Sequence, residues 1–145
     1  MPGAVAATQA RGSTIYFKHQ PHVWPWPRSF AEGSPWLDKR VRQATSLCGD
    51  RTSMLKRLDG MVVVPKGTAP PDSPWWRNLR FDTHYDPAAA KALMTEAGRS
   101  AAKPLKVRVQ VSAPDTGPMQ PLPMNELVQQ SLKGCYFEVQ FDVIE

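Results

Sequence analysis

The side chains able to carry chemistry are few and dispersed. Three histidines, His19, His22 and His84, are the imidazoles of the chain. His19 and His22 are three apart in a proline-interrupted stretch without carboxylate or thiolate partners nearby, so no metal site is predicted. Cys48 and Cys135 permit one disulfide but define no disulfide scaffold, and their spacing fits no zinc pattern. Cys48 falls on the inner face of a predicted helix, where a thiol is ordinarily inert. No nucleophile elbow, no convincing Cys/His partnership, and neither a GxGxxG nor a Walker-type loop is present. The residues thus predict no enzyme, no cofactor and no metal.

Charge and composition narrow the remaining classes. The 145 residues carry a formal charge of +5, but the lysines and arginines are spread along the chain rather than gathered in a stripe. Nucleic acid is therefore not an expected partner. The densest basic run, Lys39, Arg40 and Arg42, sits among apolar residues at helical spacing and reads as a solvated helix face. An apolar fraction of 41% suits one modest core, while 15 prolines, about twice the usual share of roughly 5%, point to long ordered loops. No run approaches the ~18 apolar residues of a membrane span. The start, MPGAVAATQARGST, lacks the basic beginning and apolar middle of a signal peptide, and residues 1–13 are read as a flexible N-terminal tail.

The elements that must position any site are legible from local pattern. Thr14–Lys18 is expected as a short strand, followed by a loop rich in tryptophan and X-Pro pairs, which force extended backbone. Asp38 is the expected N-cap of a helix to Cys48, with Val41, Ala44, Leu47 and Cys48 inward and Gly49 ending it. A second short helix follows Asp50, with Met54, Leu55 and Leu58 inward and a stop at Gly60. Met61–Val64 is apolar enough to be buried. A proline-rich loop of about twenty residues comes next, a length that is uncommon unless the loop has a function or covers a core. Asp86 and Pro87 mark the clearest helix start, Ala90, Leu93, Met94 and Ala97 give its inner stripe, and Gly98 closes it. Leu105, Val107, Val109 and Val111 alternate with polar residues as a strand. A helix from about Met124 to Lys133 and a second alternating strand, Phe137, Val139, Phe141 and Val143, complete a parallel βαβ unit.

Three stretches in order resemble the second lobe of the oligopeptide/dipeptide-binding family of extracytoplasmic solute-binding proteins that serve ABC importers, family 5 of the bacterial extracellular solute-binding proteins. They are WLDKRVRQATSLCGDR (Trp36–Arg51), YDPAAAKALMTEAG (Tyr85–Gly98), and PLKVRVQVS with MQPLPMNE and ELVQQSLKGCYFEVQFDVIE. Each alone is a plain capped helix or strand; their order and spacing carry the resemblance across residues 14–145. Two places depart from the pattern. CGDR stands where an apolar-Ile-Asp-Arg ending is usual, and KGCYFEV stands where a Gly-Phe or Gly-Ile turn normally leads into the last strand.

The resemblance implies an α/β fold, part of one lobe of a two-lobe, type II-like periplasmic binding protein, with a small mixed sheet holding the βαβ unit. Residues 14–145 would be part of the second lobe, and family members are several times longer. It further implies capture of a peptide or other small solute, delivery to ABC permease subunits in the membrane, and a periplasmic or extracytoplasmic location. In such proteins the solute lies near the carboxyl ends of parallel strands. The loop 113–121 would then face it, offering Met119 as a soft apolar surface and Gln120 as an amide, or, equally, would only anchor the next helix. Trp75 and Trp76 would wall a peptide cleft or, equally, cap the core. Trp24, Trp26 and Trp36 are expected to pack against the first helix. An incomplete sheet would leave an edge through which a homodimer could pair. The competing reading is a freestanding interaction or structural domain from a truncated reading frame, without a transport role.

Overall fold

A computed structural model of the chain describes residues 4–16, 23–58, 62–65, 69, 73–75, 81, 83–112 and 121–144. The helices and strands are α1 (Ala4–Ala10), α2 (Lys39–Cys48), α3 (Arg51–Arg57), α4 (Pro87–Glu96), β1 (Leu105–Ser112), α5 (Pro121–Lys133) and β2 (Phe137–Ile144), with a 3-10 turn at Pro35–Leu37 before α2. They divide between two compact units, Met1–Pro25 with Arg51–Asp82, and Trp26–Asp50 with Thr83–Glu145.

The second unit holds the sheet. In α2 the Asp38 carboxylate accepts from the Arg40 backbone N–H at 2.8 Å, satisfying one of the donors a helix start leaves open. The Arg40 guanidinium also grips that carboxylate and holds it below the ordinary carboxylate range. Its other arm donates to the Glu96 carbonyl at 2.8 Å, tying the start of α2 to the end of α4. Val41, Ala44, Leu47 and Cys48 are buried, the inward set the periodicity predicts. Helix α4 starts on Asp86, whose carboxylate accepts from the Ala89 N–H at 2.9 Å, with Pro87 at the first helical position. It ends in a Schellman turn: Gly98, at φ 75°, donates to the Thr95 carbonyl and Arg99 donates to the Met94 carbonyl, both at 2.9 Å. The small side chains Ala44 and Ala90 are fully buried where α2 and α4 pack, which lets the backbones approach closely.

Strands β1 and β2 pair in parallel, from Leu105 opposite Phe137 to Ser112 opposite Ile144. The sheet among the described residues is these two strands, with no antiparallel strand added. Helix α5 connects them and packs on both; Met124 and Leu132 of the helix and Leu105, Val107, Phe137 and Val139 of the strands are all buried. Full burial of a side chain such as Phe137 contributes about 1.5–3 kcal/mol. Trp36 completes this core, its ring stacked on Phe137 with centroids 6.4 Å apart, and the Arg28 guanidinium lies 5.3 Å from the centre of the Trp36 ring. Trp36 is expected to pack against the first helix; the ring contact observed is instead with Phe137 of β2.

The structure corrects several local expectations. Residues 4–10, placed in the tail, form the short helix α1. Residues 14–16 take no strand conformation, and the rest of the expected Thr14–Lys18 strand lies outside the described residues. Val63 and Val64 are 46% and 36% exposed, so apolar character there did not secure burial. At the far end of β2, Val143 is 57% exposed although it continues the inward alternation. Helix α5 begins at Pro121 rather than Met124, because proline is tolerated in a first turn whose N–H groups need no partner.

Candidate functional site

Parallel pairing brings the carboxyl ends of β1 and β2 to one edge, Ser112 beside Ile144. The loop after β1 leaves from that edge, which is where loops in open parallel sheets meet ligands. Met119 and Gln120, in that loop, lie outside the described residues, as does Trp76. Trp75 is described: it sits in a turn whose backbone N–H donates to the Ser73 hydroxyl at 3.2 Å, and it is 78% exposed. Among the described residues Trp75 is not covered by the core. Trp75 and the loop after β1 belong to different compact units.

Behind this edge the scaffold is pinned by contacts that local pattern does not announce. The Trp26 indole N–H donates to the Asn125 side-chain carbonyl at 2.7 Å, across 99 positions of sequence. Asn125, 4% exposed in the first turns of α5, fixes the end of the helix that the candidate loop enters. The Gln129 amide donates to the Val139 carbonyl at 2.7 Å and holds α5 to β2. Arg42 donates to the Trp36 and Leu37 carbonyls at 2.6 and 3.0 Å, which locks the 3-10 turn onto α2. Cys48 and Cys135 are joined as a disulfide, their Cα atoms 6.3 Å apart.

Elsewhere the chemistry is sparse. His84 lies 3.7 Å from the Asp86 carboxylate at the surface, and His19 and His22 lie outside the described residues. Among the described residues no cluster of three histidine, cysteine or carboxylate side chains is placed to hold a metal. An open groove of about 770 Å³ runs along the amino ends of the strands, lined by Pro104, Gln129, Lys133, Tyr136 and Glu138. It is at the end of the sheet opposite the candidate edge, and nothing in its lining marks a particular ligand.

Comparison with known proteins agrees with this architecture. Residues 2–145 match the family described as bacterial extracellular solute-binding proteins, family 5 middle. Di/tripeptide-binding protein 2 of Pseudomonas aeruginosa is 30% identical over 112 residues, covering 77% of this chain. An ABC transporter substrate-binding protein from Sinorhizobium meliloti superposes with a TM-score of 0.64 at 26% identity, over 77% of this chain and 24% of that one. Haemophilus influenzae OppA, solved in complex with the peptide RPPGFSPFR, gives 0.66 at 18% identity over 99% of this chain and 29% of its own. The chain spans about a fifth of the Pseudomonas relative, 21% of its length. These are solute-binding proteins rather than enzymes, and they offer no support for pairing of two copies through the sheet edge. With its capped helices, parallel βαβ unit and matched length, this chain belongs to family 5 of the bacterial extracellular solute-binding proteins.

Proposed function

We propose that the chain forms part of the second lobe of a binding protein that captures a peptide or peptide-like solute outside the cytoplasmic membrane and delivers it to an ABC permease. The observation that carries this reading is the family match over residues 2–145. The peptide class rests on the Pseudomonas di/tripeptide-binding protein and on the peptide-bound Haemophilus protein. An extracytoplasmic location is supported by the Cys48–Cys135 disulfide, since such bonds persist in oxidising compartments. Solute contacts are assigned to Trp75 and Trp76 and to Met119 and Gln120. The exposure of the Trp75 ring and the departure of the 113–120 loop from the carboxyl edge support that assignment.

Affinity in this arrangement comes from enclosure between two lobes, so the isolated chain should bind di- to pentapeptides only weakly. Calorimetry giving micromolar affinity for the isolated chain would contradict that. The function itself is tested in a chimera in which this chain replaces the aligned segment of the Haemophilus protein, titrated with di- to pentapeptides and with RPPGFSPFR. Retained binding, weakened at least about tenfold by Trp75→Ala or Gln120→Ala, is the expected result. A chimera that unfolds cooperatively yet binds none of these peptides overturns the peptide reading.

A further inference from the structure

The end of α2 and the turn before β2 are joined covalently, by the bond between Cys48 and Cys135. Cys48 and Cys135 are 87 residues apart, and both side chains are fully buried. They connect two parts that otherwise pack mainly on themselves. Helices α2 and α4 form one, β1, α5 and β2 form the other, and direct packing between α2 and α5 is slight. Tyr136, next to Cys135, is held at φ 66°, where a bulky side chain is disfavoured. Its carbonyl accepts from the Leu105 N–H at 2.8 Å, the first rung of the parallel pair. Fixing Cys135 thus fixes the turn from which β2 begins.

We infer that the Cys48–Cys135 disulfide is a redox-sensitive clamp that fastens the α2–α4 pair to the βαβ unit, tight in an oxidising compartment and loosened by reduction. It closes by exchange with a small-molecule disulfide such as oxidised glutathione. A Cys thiolate attacks one sulfur of that disulfide, giving a mixed disulfide and releasing one glutathione. The second Cys thiolate then displaces the other glutathione and forms the Cys48–Cys135 bond. The two protein thiols lose two electrons and two protons, and the small disulfide leaves as two thiols. The Ser131 carbonyl oxygen lies 2.9 Å from Cys48 Sγ and the Pro87 carbonyl oxygen 3.9 Å from Cys135 Sγ, ready to accept from the thiols. Because both sulfurs are buried, exchange waits on local opening.

Urea unfolding of the whole 145-residue chain tests this, with and without dithiothreitol, together with thiol counting in denaturant. Opening a loop of this length is expected to raise the unfolding equilibrium constant on the order of 10³-fold, up to complete loss of the folded population. The double variant Cys48→Ala, Cys135→Ala should not respond to dithiothreitol. Two free thiols in the untreated chain would overturn the inference. So would a change below tenfold on reduction, or an equal response from the double variant. None of these readouts involves a solute, so they fail or succeed apart from the peptide reading.

Discussion

Replacing Trp26 by Phe keeps an aromatic ring, a smaller one, and removes the indole N–H that reaches Asn125, which makes it a probe of how the proline- and tryptophan-rich segment is anchored. In the folded chain that N–H donates at 2.7 Å to an amide oxygen on a side chain that is 4% exposed. Loss of the donor removes one hydrogen bond from a buried amide oxygen, which costs about 1–3 kcal/mol. Trp26 is itself half-buried, so some water reaches the site and the lower part of that range, ~1–2 kcal/mol, is expected. That is roughly a 5- to 30-fold change in the unfolding equilibrium. With a urea slope of about 2 kcal/mol per molar, the midpoint falls by ~0.5–1 M. Trp24→Phe is the reference, a partly exposed tryptophan for which a change within ~0.5 kcal/mol is expected. If Trp26→Phe and Trp24→Phe shift the midpoint equally, the anchor does not hold α5 and the reasoning fails.

Other consequences follow from the helix starts. Asp86→Ala removes the acceptor for the Ala89 N–H and should cost about 1 kcal/mol, read as a lower thermal midpoint; Asp86→Asn, which keeps a capping oxygen, should recover most of it. The Asp38 carboxyl, held down by hydrogen bonds from Arg40, should titrate below its ordinary value when followed by NMR. Since the folded state favours the charged form, the stabilisation is present above the ordinary carboxylate range and is lost as pH falls through the lowered folded value. Arg40→Gln should return the titration towards the ordinary value; an unchanged titration would show that the pair does not form in solution.

Helix boundaries, strand alternation and the βαβ order were legible from residues alone, because each depends on groups within a few positions of one another. Asp38 and Asp86 cap because a side-chain oxygen meets an N–H two or three residues on. Gly98 stops α4 because it takes a backbone conformation that side chains disfavour. Leu105 to Val111 alternates because successive side chains of a strand face opposite ways. From that order the carboxyl edge, and with it the region of the candidate site, could be named in advance. The exposure of Trp75, against a role in the core, could not.

Tertiary structure decided which distant residues meet and which apolar residues find cover. Cys48 was read as an inert inward thiol, and its burial is as expected; its bond to Cys135 depends on where the end of α2 comes to rest against the turn before β2. Trp26 and Asn125 carry no periodic signal that links them, yet their hydrogen bond spans 99 positions. Val63, Val64 and Val143 are apolar in sequence and exposed in space, because local pattern reports a side chain's preference for burial and not the presence of a surface to cover it. The same distinction separates scaffold from site: caps and alternation specify the scaffold, whereas a site depends on which loop side chains the assembled fold brings together.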